Sequence, residues 1–346
     1  MRHKLSIVLP VYNERENLEP LLEAIRSTYR SELADRYDLE VLFVDDGSTD
    51  GSTEILKELA NRSNEIRVVM LARNFGHQAA ISAGYEYATG AAIVAMDSDL
   101  QHPVERIPDL VARWEDGYDV VYAVRDADHG AFLKRWCSRG FYAVFNALSS
   151  TKILPGSADY RLITSQVRDS LAQLPERCRF LRGLIHWLGF RSTSVSYTPK
   201  RRRSGKPKYR FWHSLGLSIT AFTGFSIAPL RAFVLLGGIF LLISLGYLAY
   251  CIVNWLAGGS IVRGWPSLVA LVVLTQGLML IAFGIQAEYL AKIMLEVKRR
   301  PEYVVKQVIE GTEKNGEGVQ VVRNSPGVKP PNGSVTSTGA PSSSPD

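Results

Sequence analysis

Apolar residues in the first third of the chain come in short, nearly continuous runs, separated by stretches where they recur every three or four positions. Leu5–Val11, Glu40–Val44, Arg67–Leu71, Ala91–Met96 and Asp119–Val124 are rich in β-branched residues and predict strands. They are too continuously apolar for a sheet with one wet face, so they belong in a sheet buried on both sides. Between them Leu18, Leu21, Leu22 and Ile25 keep helical spacing, as do Ile55, Leu56 and Leu59, and then Ile107, Leu110, Val111 and Trp114. Pro103 suits the first turn of the last of these helices. Strand alternating with helix predicts an α/β domain on a parallel, doubly wound sheet.

Further along, the pattern changes period and then loses its polar positions. Ala131–Ser150 mixes Phe132, Trp136, Phe141, Tyr142 and Phe145 with Lys134, Arg135 and Arg139, and Tyr209–Ser226 has the same character. Both predict helices lying in a membrane interface, apolar on one side and basic near one end. Ala232–Ala257 and Trp265–Ala287 hold no charged residue. Each exceeds the roughly 20 residues that cross a bilayer as helix, so a two-helix transmembrane hairpin is expected, with Gly258–Gly264 as its short far-side turn. After Glu310 the chain turns to Gly, Ser, Thr, Pro and Asn and is expected to be disordered.

These blocks divide the 346 residues into four parts: an α/β domain over 1–165, a loop with juxtamembrane helices over 166–228, two transmembrane helices over 229–295, and a basic segment with a disordered tail over 296–346. The formal charge of +6 changes the picture only through its location. Lys200, Arg201, Arg202, Arg203, Lys206, Lys208 and Arg210 precede the apolar block, and Lys298, Arg299 and Arg300 follow it. That placement favours an anionic membrane surface over nucleic acid, and it puts both ends of the hairpin in the cytoplasm of a multi-pass plasma-membrane protein. Cys137, Cys178 and Cys251 are far apart and lack any zinc or disulfide spacing, so reduced structural thiols are expected. Leu5–Val11 is too short for a secretory signal.

In doubly wound sheets ligands bind beyond the carboxyl ends of the strands, and here those ends are acidic. Asp45 and Asp46 follow the second strand, and Asp97 and Asp99 follow the fourth. Two carboxylates two residues apart at a strand end can share one hard cation, Mg²⁺ or Mn²⁺, completed by substrate phosphates. Such a cation neutralises a diphosphate leaving group.

The ordered segments Ser6-Ile7-Val8-Leu9-Pro10-Val11-Tyr12-Asn13-Glu14, Val44-Asp45-Asp46-Gly47-Ser48, Arg73-Asn74-Phe75-Gly76 and Asp97-Ser98-Asp99-Leu100-Gln101-His102-Pro103 resemble the motifs of family 2 glycosyltransferases. Within that family the chain is most similar, over about residues 4 to 300, to polyprenyl-phosphate glycosyltransferases of the bactoprenol glucosyltransferase type, which are related to dolichol-phosphate mannose synthase. The resemblance implies a GT-A fold, Rossmann-like, in which Pro10, Tyr12, Glu14 and the pair Asp45 and Asp46 hold the uridine. It leaves open which of the two aspartates touches the base. It also implies a metal site at Asp97, Asp99 and Gln101. Ala158-Asp159-Tyr160-Arg161-Leu162 resembles the family's Gly-Asp-Phe-Arg-Leu stretch, with Ser157-Ala158 in place of Ala-Gly and Tyr160 in place of Phe, and makes Asp159 the residue near the reacting atoms.

An anionic acceptor approaching an anionic donor needs cations. Arg125 follows the fifth strand, Lys134, Arg135 and Ser138 resemble an acceptor-phosphate pocket, and Arg202 resembles the closing loop of these enzymes. Arginine suits phosphate through its bidentate fork. A lipid phosphate monoester has a second pKa of about 6 and is largely a dianion at neutral pH, so a strong general base is unnecessary. Asp159 then orients the acceptor or the sugar, or takes a residual proton. Phe180-Leu181-Arg182-Gly183 stands where processive synthases carry Gln-x-x-Arg-Trp, and the missing Gln and Trp argue for a single transfer.

The expected activity is inverting transfer of a hexose, first of all glucose, from a UDP-sugar to undecaprenyl or another polyprenyl phosphate at the cytoplasmic membrane face, by a homo-oligomer. The alternatives are the same reaction with a modified arabinose or mannose, or a non-catalytic membrane scaffold that keeps a nucleotide-binding domain. An oxidoreductase on a similar sheet would need Gly-x-Gly-x-x-Gly after the first strand, where Pro10-Val11-Tyr12-Asn13 stands.

Overall fold

The structure is a computed structural model that describes residues 2–125, 157–174, 176, 180–198, 264–311 and 321–322, with scattered positions between 233 and 257. Among the described residues nine strands form one sheet in the order β7-β5-β6-β4-β1-β2-β3-β8-β9. They are β1 His3–Val11, β2 Tyr37–Asp45, β3 Ile66–Leu71, β4 Ala92–Ala95, β5 Val120–Arg125, β6 Ser157–Thr164, β7 Ser192–Tyr197, β8 Val305–Glu310 and β9 Val321–Val322. The helices are α1 Leu18–Glu32, α2 Ser52–Arg62, α3 His77–Tyr87, α4 Ile107–Glu115, α5 Ser165–Gln173, α6 Leu181–Trp187 and α7 Trp265–Val297.

The five predicted strands all form, and β4-β1-β2-β3 is parallel throughout. The chain builds outward from β1 to β2 and β3, then crosses to the other side of β1 for β4. The crevice where this reversal occurs lies at the carboxyl ends of β1 and β4. Helix α1 buries Leu18, Leu21, Leu22 and Ile25 on this sheet, as its spacing predicts. Full burial of side chains of this kind contributes about 1.5–3 kcal/mol each relative to exposure.

The sheet is nevertheless mixed, which corrects the expectation of an all-parallel one. β6 runs antiparallel between β4 and β5, and β8 runs antiparallel on β3. β7 pairs parallel with β5. The sheet thus runs past residue 165 to β7, with Asp159 on β6, and it also takes in β8, from the segment expected to be basic, with Tyr303, Val305, Val308 and Ile309 buried. Val321–Val322, in the stretch expected to be disordered, pair with β8. Pro103 precedes a short 3-10 turn at Val104–Arg106, and Pro108 takes the first turn of α4.

Helix α3 was not foreseen. Its sequence, HQAAISAGYEY, presents no broad solvent-exposed polar face, because Ala79 through Tyr85 are all buried. It lies so close to β1 that a Cβ added at Gly84 would stand 2.1 Å from Val8 Cγ1. The interfacial segments 131–150 and 209–226 lie outside the described residues. Among the described residues one helix, α7, is long and apolar enough to cross a membrane. Its large apolar side chains, including Leu271, Leu274, Leu280 and Phe283, are exposed. At 33 residues it is about 50 Å long, against about 30 Å of bilayer hydrocarbon. The described positions between 233 and 256 are helical.

Gly84→Ala is expected to destabilise the domain by about 1–3 kcal/mol through overpacking against Val8, despite alanine's better helix propensity, and a denaturant titration of the purified protein checks this.

Candidate active site

The strand register builds the site. β4 pairs with β6 so that Ala95 faces Arg161. Continuing that antiparallel register by two residues sets Asp97 across from Asp159. Asp97 and Asp159 therefore meet at the tip of the sheet although 62 positions separate them in sequence. Ser98 Oγ donates to the Pro10 carbonyl at 2.8 Å, which ties the acidic turn to the end of β1. Leu100 has a φ of 60°, and the turn closes with the Gln101 N–H donating to Asp99 Oδ1 at 3.1 Å.

Beneath the turn lies His102, 1% exposed, stacked on the Tyr160 ring at 5.0 Å and met edge-on by Tyr197. Its Nδ1 accepts the Asp97 N–H at 3.0 Å, so in the neutral ring the proton sits on Nε2. Burial lowers its pKa, with the nearby Asp97 and Asp99 opposing, so the neutral ring is favoured. Tyr160 donates to the Pro103 carbonyl at 3.0 Å, and Arg125 Nε donates to the Tyr197 phenol oxygen Oη at 3.2 Å. The polar turn thus rests on an aromatic floor drawn from the turn itself, β6 and β7.

Asp159 is 6% exposed and is the most heavily bonded carboxylate of the site. Arg182 grips it with a two-pronged fork, Nε to Oδ1 at 3.0 Å and Nη2 to Oδ2 at 2.9 Å. Arg161 Nη2 donates to the same Oδ1, and Gln78 Nε2 donates to Oδ2 at 3.2 Å. His77 Nε2 bridges the two aspartates, 3.4 Å from Asp159 Oδ2 and 3.3 Å from Asp97 Oδ1. Burial by itself would raise the Asp159 pKa, but Arg182, His77 and Arg161 outweigh it and hold the carboxyl well below the usual range. Asp159 is therefore an ionised anchor for cations. Burial pulls the His77 pKa down, yet its bond to Asp159 and the charge of Asp97 carry it above its ordinary value.

The carboxylates after β2 brace loops. Asp45 accepts from the Ser48 N–H at 3.0 Å and the Thr53 hydroxyl at 2.6 Å. Asp46 accepts from the Phe75 and Gly76 N–H groups at 2.7 and 2.9 Å, fastening the loop that precedes α3. Burial raises the Asp46 pKa, partly offset by those two N–H groups. Each carboxylate oxygen keeps a second lone pair, so bracing is compatible with contact to a base N–H. Tyr12 stands exposed beyond β1, and Glu14 accepts from Asn17 Nδ2 at 2.6 Å at the start of α1. Asn13 links this loop to the next through Ser48 Oγ and the Thr49 N–H.

The structure thus brings together Pro10, Asp97, Asp99, Gln101 and Asp159, with Asp45, Asp46, Tyr12 and Glu14 along the neighbouring loops and Arg125 at the far side of the aromatic floor. Lys134, Arg135, Ser138 and Arg202 lie outside the described residues. Sequence reasoning missed His77, Gln78 and the role of Arg182. The first two follow directly on Arg73-Asn74-Phe75-Gly76, and Gly76, at a φ of 101°, turns the chain into a helix N-terminus. Arg182 had been noted only as the remnant of a processive signature.

The fold and this cluster define a GT-A-like, mixed α/β enzyme domain. The glycosyl transferase family 2 model matches residues 6–170. The chain is 36% identical over 309 residues to the SfII prophage-derived bactoprenol glucosyl transferase of Shigella flexneri, covering 89% of this chain and 99% of that one. It is 37% identical over 313 residues to an uncharacterized glycosyltransferase, sll0501, of Synechocystis sp., covering 88% and 95%. It is 38% identical over 314 residues to the uncharacterized glycosyltransferase YkcC of Bacillus subtilis, covering 88% and 94%. The chain belongs to glycosyltransferase family 2 and is a transferase.

On the outer flank His186 stacks on Tyr122 with ring centroids 4.5 Å apart, and its Nε2 is buried without a hydrogen-bond partner. Burial, reinforced by the charge of Arg161, lowers its pKa to about 4. The unfolded chain protonates this residue below about pH 6.5 while the folded chain resists down to about pH 4, so its contribution makes stability fall as pH drops through that window. His186→Phe, which keeps the stack, is expected to flatten the loss of thermal midpoint between pH 7 and pH 5, measured in a pH series against wild type.

Proposed function

We propose that the chain transfers a hexose, first of all glucose, from a UDP-sugar to the phosphate of a polyprenyl lipid at the cytoplasmic face of the membrane. The observation that carries this reading is the convergence of Asp97, Asp99 and Asp159 with cationic partners at the β1/β4 crevice, in a chain whose other described feature is a long, lipid-compatible helix. The bactoprenol glucosyl transferases it resembles over nearly their whole length support the acceptor class. A homo-oligomer and a second span over 232–257 belong to the same proposal.

A divalent cation, Mg²⁺ or Mn²⁺, fits the donor set. Asp97 Oδ1 is a buried acceptor with no hydrogen-bond partner, faced by the His77 ring at 3.3 Å, and Asp99 and Gln101, in the same turn, carry further hard oxygen donors. An ion of this kind is commonly held by one or two carboxylates and completed by substrate phosphates. Bound there, the cation would neutralise the diphosphate that departs with the nucleoside.

The chain's own residues then divide the work. Pro10, Tyr12, Glu14, Asp45 and Asp46 hold the nucleoside beside β1 and β2. The lipid phosphate reaches the site already ionised, guided by Arg125, Lys134, Arg135, Ser138 and Arg202, and attacks the anomeric carbon in line, so the configuration inverts. Asp159 needs no proton in this scheme: it remains a carboxylate and keeps Arg182 and Gln78 oriented toward the reacting groups.

Asp97→Ala is expected to lower transfer by roughly a hundredfold or more, and a chelator to abolish it reversibly, both scored as label passing from UDP-sugar into the lipid phase of membranes. Full transfer without metal or Asp97 would discard the metal role. Asp159→Asn is expected to be comparably damaging because a neutral amide leaves Arg161 and Arg182 without their counter-charge, and Arg182→Lys is expected to recover little because an ammonium lacks the fork. Retention of most activity by Asp159→Asn would remove the anchor role.

A further inference from the structure

One face of α3 carries a polar stripe at four-residue intervals, Gln78, Ser82 and Glu86, along an otherwise apolar helix. Its first member donates to Asp159 in the active site. The other two hold residues that immediately follow the membrane helix: Ser82 Oγ donates to Glu302 Oε1 at 3.2 Å, and the Tyr303 hydroxyl donates to Glu86. Just beyond, Ala72 donates its N–H to the Val304 carbonyl at 2.8 Å, and β8 enters the sheet against β3. The chain leaving α7 at Val297 is thus fastened to both α3 and β3 within the seven residues Lys298–Val304.

We propose that Ser82, Glu86, Glu302 and Tyr303 are positioning residues of the transfer site, which hold α3 so that His77 and Gln78 stay seated on Asp97 and Asp159. Small residues make this necessary. Ala79, Ala80, Ala83 and Gly84 let α3 lie flush on the sheet, which fixes its height. A surface of Ala and Gly offers few knobs to lock sliding or rotation about the helix axis. The polar stripe supplies that lock at the end remote from the site. A rotation of α3 swings Gln78 off Asp159, whose bond at 3.2 Å is already at the long end of the normal range. Displacements of about 1 Å in such constellations are enough to cost transfer rate. The backbone that exits the bilayer therefore sets the geometry of the site through one helix.

The inference rests on the transfer reading, and its test has a readout independent of that reading. Full-length wild type, Gln78→Ala, Tyr303→Phe, the double variant and Ser82→Ala are prepared in membranes and assayed with UDP-glucose and undecaprenyl phosphate. Tyr303→Phe, Ser82→Ala and Gln78→Ala are each expected to lower kcat by roughly three- to tenfold with the donor KM unchanged, and the double variant is expected to be no worse than Gln78→Ala alone. In parallel, hydrogen exchange of the α3 peptide is expected to quicken at residues 80–84 in Tyr303→Phe while the peptides of β1 and β2 stay unchanged. Multiplying kinetic effects in the double variant, or losses that only follow a lowered thermal midpoint, would overturn the proposal. So would unaltered exchange in α3, even if the enzyme proved to use another donor.

Discussion

A carboxylate shut away from water stays ionised only where cations reach it, and the arrangement around Asp159 follows from that constraint. The side chain lies at the tip of an interior strand with almost no solvent contact, and Arg161, Arg182 and His77 meet on it. They come from β6, α6 and the first turn of α3. A misplacement of any of these elements would leave a buried charge without its partner, a loss of several kcal/mol. The site is thereby coupled to the packing of distant parts of the chain.

The antiparallel insertion of β6 makes this geometry possible. A parallel crossover would bring the chain back to the opposite end of the sheet before the next strand began, whereas β6 starts at the carboxyl end of β4 and places Asp159 level with Asp97. β7 follows by pairing with β5 and contributes Tyr197 to the floor under the acidic turn. At the other edge β8 brings the segment after α7 back into the sheet, where Arg67 reaches both Glu40 and Glu310. The sheet is therefore discontinuous in sequence, extended on this side by residues that follow α7.

Much of this was legible beforehand. The five strands β1 to β5 and helices α1, α2 and α4 follow from their periods, since each either fills a two-sided interior or presents one apolar face. The acidic strand ends pointed to the crevice where the site lies. Helix α3 left little trace because burial on nearly every face reduces its polar positions to one narrow stripe, where a surface helix would show a broad polar face. β6 and β8 leave no such trace either, because β6 carries Asp159-Tyr160-Arg161 within it and β8 follows a basic stretch, which local patterning reads as loop and tail.

Taken alone, the residues determined the class of fold, the acidic chemistry at the strand tips and a helix able to lie in lipid, because these depend on local period and on side-chain type. Only the folded chain decided which cations serve Asp159, that Asp45 and Asp46 brace loops, and that the segment leaving α7 is tied to α3. Those are contacts between segments far apart in sequence. They arise from strand register and from the direction in which each strand enters the sheet, which local hydrophobic pattern does not encode.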